Sequence, residues 1–475
     1  MASFTVPLFI NGQEHHPPKT FDVVSPATGK TAHRCSAASV DDAAAAVDAA
    51  AGAFTSWKRT TPSRRRDILL GAADIINSRR EELTRCLMEE TGAARSWADF
   101  NIDHATEMLK DTAGRIATLE GSFPAMMDPD SSGIVMREPY GVVLAIAPWN
   151  APFILGVRAF ALPIAAGNTV VLKASETAPR CIWAMVSALH EAGLPGGVLN
   201  MIVHERSAAA SATAALIANP HVKKINFTGS TPVGRVIAKL AGEHLKPVVL
   251  ELGGKAPAIV WEDADLQLAA EQCALGAFAH SGQICMSTEK ILVHKAVKQQ
   301  FVDRFKAAVE KEFPSSAEAL TLISSAAVQR NKQLITNAAD RGASIIYGDI
   351  NAPQVSETRL RPIIVDRVTA DMDIYTTESF GPTVSLVEID SEEQAIRLAN
   401  DTDFGLSSAV FTQDLGRGLR LARELETGAV HINSKTVHDE AVLPHGGAKA
   451  SGYGRFNAAR GLDEWVRTKN VTFKH

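Results

Sequence analysis

Several common signals are missing from this chain. No uninterrupted apolar run reaches the roughly 18–20 residues a membrane span needs. The longest candidate, Val142 to Gly167, is broken by Pro148, Asn150, Pro152, Arg158 and Pro163. The N-terminal MASFTVPLFINGQEHH lacks the basic start and long apolar core of a secretory signal, and the C-terminal VTFKH is neither a lipidation site nor a typical organelle address. By default these absences predict a cytoplasmic protein without a membrane partner. Cysteine is scarce: Cys35, Cys86, Cys181, Cys273 and Cys285 are scattered, odd in number and contain no CxxC pair. That argues against a disulfide framework and against a metal centre. A large charge of one sign is also lacking. The net charge of −5 gives no electrostatic reason to expect nucleic acid as a partner. No internal repeat or low-complexity tract is present.

What remains is an ordinary globular composition, 46% hydrophobic and 21% charged. With 475 residues the chain is too long for one core, so two or three domains are expected. The Ala-rich stretch Asp41 to Ala53 predicts a helix. Elsewhere apolar strands alternate with helical segments, which predicts an α/β fold built on parallel sheet. Val142 to Ala147, Thr169 to Leu172, Lys223 to Phe227 and Val248 to Leu250 read as strands. Each runs into polar or glycine-rich residues, and in open α/β sheets ligands collect beyond the carboxyl ends of strands. A second α/β run covers Ala256 to Val430, with a helix over Leu266 to Ser281 and strands at Ile291 to His294, Arg361 to Val365 and Val384 to Ile389. Thr112 to Arg137 and Val466 to His475 read as extensions whose strand edges can pair with another subunit.

Five constellations carry candidate chemistry. Cys285 follows Gly282-Gln283-Ile284, where glycine lets the backbone approach a ligand closely. A thiol is a latent nucleophile that needs activation by its surroundings, and alone it reads equally well as a small buried hydrophobe. Glu251 ends an apolar strand before Gly253-Gly254. Burial there predicts a raised pKa suited to a general base, with an ion-paired acid as the plain alternative. Asn150, in Pro148-Trp149-Asn150, can donate to an oxyanion or simply cap the following helix. The turn Gly229-Ser230-Thr231-Pro232-Val233-Gly234 opens a helix, a setting that favours phosphate, although it is not GxGxxG. Lys173 and Glu176, in Lys173-Ala174-Ser175-Glu176, can hydrogen-bond a ribose diol or sit as a solvated strand end.

PWN at 148–150, KASE at 173–176, FTGSTPVG at 227–234, ELGGK at 251–255, GQIC at 282–285 and ESFGP at 378–382 resemble, in order and spacing, the aldehyde dehydrogenase superfamily. The resemblance runs from about Leu8 to Val471. It implies a Rossmann-type cofactor domain (1–117 and 141–252), an α/β catalytic domain (253–447) and a small β oligomerisation extension (118–140 and 466–475), forming a homodimer or homotetramer. It also implies oxidation of an aldehyde to a carboxylate through a thiohemiacetal and a thioester on Cys285. Asn150 and the Cys285 backbone N–H would hold the oxyanion, and Glu251 would activate the hydrolytic water. Retention of that base disfavours a coenzyme-A-acylating enzyme.

For the cofactor the resemblance implies Ile146, Ala147, Pro148 and Trp149 along its path and Lys173, Ser175 and Glu176 at the adenine ribose. Gly229, Ser230 and Gly234 match the pyrophosphate region, and Glu378 and Phe380 the nicotinamide end. An acidic Glu176 would repel a 2′-phosphate, which favours NAD over NADP. GQICMSTEK, MDIYTTESFGP and HINSKTVHDEAVLPHGGAKASGYGRF are most similar to the salicylaldehyde, vanillin and benzaldehyde dehydrogenases, which implies an aromatic aldehyde. Arg158, the only charge between Trp149 and Lys173, is then a candidate contact for a polar ring substituent, or else a paired charge. Trp97, Phe153, Ile284, Met286 and Val437 are candidates for the apolar wall. The alternatives are an aliphatic aldehyde or semialdehyde dehydrogenase with the same mechanism, and a non-catalytic NAD-binding relative.

Overall fold

The structure is a computed structural model that describes residues 4–352 and 356–475. The first three residues of the 1–117 segment, and residues 353–355 of the 253–447 segment, lie outside that range. Two large sheets carry the chain. The first has eight strands in the order Gly452–Tyr453, Val248–Glu251, Val222–Thr228, Val142–Ile146, Thr169–Lys173, Leu199–Ile202, Leu8–Ile10 and Gln13–His15. Its five central strands are parallel, while both edges are finished by antiparallel pairing. The apolar runs read as strands are nearly continuous because both faces are covered, so every residue of Val142–Ile146 and Thr169–Lys173 is buried. The second sheet has seven strands in the order Ser344–Tyr347, Ile363–Asp366, Thr383–Ile389, Thr288–His294, Ala256–Val260, Ser408–Phe411 and Val430–Ile432. All its pairings are parallel except that of Ser344–Tyr347.

The Ala-rich helix extends beyond its predicted range, over Val40–Trp57, because Ser39 and Asp42 close a reciprocal capping box at its start. Helix Pro152–Ala165 is buried on every face, Arg158 included, so the charge on it must find partners inside the protein.

Two boundaries differ from expectation. The helix expected over Leu266 to Ser281 ends at Phe278, and His280 and Ser281 adopt left-handed backbone angles that turn the chain. The extension does not begin at Thr112, since Arg95–Arg115 is a single helix whose inner face buries Thr112 and Ala113. The extension proper is a two-stranded antiparallel ribbon, Ser131–Pro139 against Val466–Lys474. Among the described residues no helix is long and apolar enough to cross a membrane.

Candidate active site

Cys285 stands where the carboxyl ends of the first sheet meet the loop leading into strand Thr288–His294. Gly282 makes the approach possible. It has φ +70°, and a Cβ there would meet the Gly381 carbonyl oxygen at 2.2 Å. The Gln283 side chain then pins the loop, donating to the carbonyls of His280 (3.2 Å) and Thr321 (3.3 Å) and accepting from Ile323 N–H (2.8 Å). Gly254 takes the same loop from the other side, since a Cβ on it would lie 2.1 Å from the Cys285 carbonyl oxygen. Cys285 is only partly buried, unlike the four other cysteines.

Asn150 is held beside it. Its side-chain amide donates to the Gln283 carbonyl at 3.0 Å, and its own carbonyl accepts from Trp97 Nε1 at 3.0 Å. One amide hydrogen of Asn150 is therefore committed to fixing the side chain, which leaves the other free to serve a ligand.

Glu251 ends its strand fully buried, with Oε1 3.7 Å from Cys285 Sγ. The expectation of a raised pKa is corrected here. Burial does push the carboxyl up, but Arg158 and His445 outweigh it and hold the group down at about 2. Arg158 Nη1 donates to Oε2 at 2.9 Å, and His445 Nε2 lies 3.0 Å from Oε1. Arg158 Nη2 also pairs with Asp439, which faces His445 Nδ1 at 3.6 Å. Conversely, burial, Glu251 and Glu378 push the Cys285 thiol well up, with only Arg158 opposing them.

The cavity holding these groups has a volume of about 220 Å³ and is lined by Trp149, Asn150, Gly229, Glu251, Cys285, Glu378 and Phe380, among others. Ser230 also borders it, as the N-cap of helix Thr231–Glu243, whose first turn has no side-chain cap. Such a turn presents free backbone N–H groups, and it fits a phosphate. Gly234 lies within this helix, packed against Leu252.

Glu378 accepts from Gly254 N–H at 2.8 Å, and its pKa rises to about 7 because it is buried next to Glu289. Glu289 in turn orders the loop by accepting from the backbone N–H groups of Ser379 and Phe380, and it pairs with Lys255 at 2.7 Å. Phe380 stands edge-on to Trp149 with ring centroids 6.0 Å apart. Lys173 and Ser175 are buried at the end of their strand, with Glu176 half-buried beside them, and Ile146, which ends the adjacent strand, and Ala147 just beyond it are buried too. An uncapped helix start, a ribose-compatible carboxylate and an aromatic cleft fit a dinucleotide.

The candidate substrate residues separate. Arg158 is 2% exposed, and both its terminal nitrogens are taken by Glu251 and Asp439. The reading of Arg158 as a contact for a ring substituent is therefore corrected: it is the paired charge. Phe153 is fully buried in the core and is not a cavity wall. Ile284 and Met286 flank Cys285 and pack into the same core. Trp97 and Val437 line a second cavity of about 730 Å³, together with Phe100, His280 and Lys435. There Trp97 stacks on His280 at 5.0 Å and on Phe100 at 5.2 Å.

Sequence reasoning missed His445, Asp439 and Glu289. The first two lie in VHDEAVLPHGG, a stretch singled out above for its likeness to relatives but not for its acids or its histidines. Glu289 lies in STEK, four residues beyond the cysteine.

Residues 13–471 match the sequence pattern of the Aldehyde dehydrogenase family. A vanillin dehydrogenase of Pseudomonas sp. (strain HR199 / DSM 7063) is 43% identical over 99% of this chain and 98% of its own. Among solved structures, a salicylaldehyde dehydrogenase from Pseudomonas putida G7, complexed with salicylaldehyde, superposes with a TM-score of 0.96. It is 36% identical over 99% of this chain and 98% of its own. A betaine aldehyde dehydrogenase from Staphylococcus aureus in complex with NAD+ has a TM-score of 0.93 and 30% identity, covering 98% and 94% of the two chains.

Proposed function

The chain belongs to the aldehyde dehydrogenase family and is an oxidoreductase acting on aldehydes with a nicotinamide cofactor, and from that premise we propose that Cys285, Asn150 and Glu251 perform the chemistry on an aromatic aldehyde with NAD as cofactor. The observation that carries the assignment of roles is the 3.7 Å approach of Cys285 Sγ to Glu251 Oε1 on the wall of a cavity that also presents an uncapped helix start.

The protonated thiol gives its proton to the Glu251 side, and sulfur bonds to the carbonyl carbon of the substrate. The oxygen of the resulting thiohemiacetal is held by the free amide hydrogen of Asn150 and by the Cys285 backbone N–H. Loss of hydride from the thiohemiacetal carbon, which leaves a thioester on Cys285, needs the acceptor that a nicotinamide would supply when bound. Once that first proton has passed to solvent, Glu251 takes a proton from water as the water oxygen bonds to the thioester carbon; the C–S bond then breaks, the acid leaves and the sulfur regains a proton. Glu378 and Ser230 would hold the nicotinamide ribose and the diphosphate, and Phe380 and Trp149 would stand at the ring end. Lys173, Ser175 and Glu176 would hold the adenine ribose, and the acidic Glu176 is the reason for preferring NAD, since it would repel a 2′-phosphate.

The aromatic preference rests on the names of the relatives and on the stacked Trp97, Phe100 and His280 beside the catalytic loop. Residues 1–117 and 141–252 bind the cofactor in this reading, and 253–447 carry the nucleophile. The ribbon formed from 118–140 and 466–475 joins subunits into a dimer or tetramer. Ile134, Met136, Val471 and Phe473 leave apolar surface exposed on it, which supports that use.

The test is NAD and NADP reduction with aromatic, aliphatic and carboxylated aldehydes, using Cys285→Ala as control. Turnover by Cys285→Ala, or a preference for aliphatic substrates, would overturn the corresponding part of the reading. Sedimentation velocity reads the oligomeric state.

A further inference from the structure

The reaction described above occupies the cavity of about 220 Å³ around Cys285 but gives no task to the charges in the larger one beside it. That outer cavity, of about 730 Å³, is lined by the charged Glu312, Glu318, Arg359 and Lys435 as well as by Trp97 and Phe100. Glu318 pairs with Arg359 at 3.1 Å, and Glu312 lies 3.9 Å from Lys311. Lys435 differs. It donates to Gln272 Oε1 through its backbone N–H at 3.2 Å, and among the described residues its ammonium has no hydrogen-bond or ion-pair partner.

Lys435 is half-buried, and its backbone is fixed relative to the catalytic loop. The adjoining Thr436 donates through Oγ1 to the carbonyl of Met286, the residue after Cys285, at 2.6 Å, and its own carbonyl accepts from Ser407 Oγ at 2.6 Å. The stem of Lys435 packs on helix Leu266–Phe278 at Gly276, where a Cβ would lie 3.5 Å from the Lys435 Cβ. The two cavities adjoin through Trp97, which lines the outer one and donates from Nε1 to the carbonyl of Asn150, on the wall of the inner one, at 3.0 Å. With Ser230, Glu378 and Phe380 given to the cofactor, the aldehyde approaches Cys285 from the side of Trp97.

We propose that Lys435 sets specificity: its ammonium receives a carboxylate on the substrate ring, remote from the aldehyde, so that the preferred substrates are aromatic aldehydes carrying an ionised carboxyl group. The inference rests on the aromatic reading of the substrate and narrows it.

A half-buried ammonium has lost part of its water, and a carboxylate replaces that water with charge-assisted hydrogen bonds. Lysine brings three donors on a flexible stem, which suits a partner whose position varies with the ring. The opposite end of the site fixes the orientation. Glu251 stands 3.7 Å from Cys285 Sγ, and Asp439 lies behind it across Arg158. A carboxylate turned toward the nucleophile therefore meets two like charges against one cation, whereas the neutral aldehyde does not. The outer cavity has the size of a pocket for a small molecule and far exceeds one ring, which leaves room for a substituent beyond Trp97 and Phe100.

The experiment compares kcat/KM for 4-carboxybenzaldehyde with that for 4-formylbenzamide, its uncharged near-isostere, by following NADH. Wild type is expected to favour the acid about tenfold or more, chiefly through KM. That preference is expected to shrink as NaCl rises from about 20 to about 300 mM, because a partly exposed pair is screened. Lys435→Met is expected to cut the ratio about tenfold, Lys435→Arg to keep most of it, and Lys435→Glu to bring it below one.

A wild-type ratio of one or less overturns the inference, and that measurement depends on no variant folding. So does a Lys435→Met enzyme that loses kcat/KM equally on both substrates, since the ammonium would then serve the ring and not its substituent. Failure of the aromatic reading looks different: wild type would oxidise a four-carbon aldehyde acid in preference to both ring compounds, or would oxidise neither of them.

Discussion

Glu251 and Glu378 are buried glutamates on the wall of one cavity, yet their carboxyls are driven in opposite directions. At Glu251, Arg158 and His445 overcome burial and hold the group down at about 2. At Glu378, burial and the neighbouring Glu289 prevail over the Gly254 N–H, Arg330 and Lys255, and the group rises to about 7. Burial alone therefore says nothing about the sign of the shift; the charge of whatever shares the buried site decides it. The first glutamate is an anion at every physiological pH, anchored on both oxygens. The second sits at its titration point, with one oxygen tied to the backbone and the other available to a ligand.

The same conservative change at both sites should separate these characters most sharply. Glu251→Gln is expected to lower kcat by about 10²–10⁴-fold, the usual worth of a positioned base. If the variant hydrolyses the thioester slowly but still captures substrate, the pre-steady state will show a burst of one NADH per subunit. A variant with normal kcat would end the assignment of Glu251 as base.

Next in size is Arg158→Met, which strands two buried carboxylates. Breaking a buried pair in this way typically destabilises by about 3–5 kcal/mol. Urea unfolding at pH 7 checks this, and a change under about 1 kcal/mol would mean the carboxylates find other partners.

The two glutamates should also leave opposite marks on stability against pH. For Glu251 the folded value lies below the unfolded one. Its contribution is present above about pH 4.5 and is lost as pH falls toward about 2. For Glu378 the folded value is raised, so its contribution is full below about pH 4.5 and is lost as pH rises through about 7. Glu378→Gln should therefore gain thermal stability relative to wild type at pH 8 compared with pH 5. Melting curves at the two pH values decide it, and parallel shifts would contradict the raised value.

The smallest effect expected is on cofactor binding. Glu378→Gln should weaken NAD binding about tenfold, roughly 1.4 kcal/mol, by loss of a charge-assisted hydrogen bond. Titration of intrinsic fluorescence with NAD measures it.

Much of this site was legible from local sequence. The strand runs ending at Ile146, Lys173, Thr228 and Glu251 all stop near the predicted positions, since continuous apolar stretches punctuated by Gly and Pro leave few other readings. Helix Leu266–Phe278 was read three residues too long because nothing local marks His280 and Ser281 as left-handed. The adjoining Gly282 docks against Gly381, about a hundred residues away in sequence. Arg158 was legible as an oddity in an apolar stretch, but its partners lie 93 and 281 residues further along the chain. The sign of the Glu251 shift went wrong for the same reason. Burial can be inferred from neighbours in sequence, whereas the cation and the imidazole that overrule it arrive from elsewhere in the fold.

The pairing of Gly452–Tyr453 with Leu250 and Glu251 has a consequence for how the enzyme comes into being. On the ribosome, the strand carrying Glu251 emerges some two hundred residues before the short strand that covers its edge, and before His445 and Asp439. Until then the glutamate has an open flank and only part of its anchorage. A chain cut before Asp439 therefore carries Glu251 with an open flank and Arg158 as its one remaining anchor.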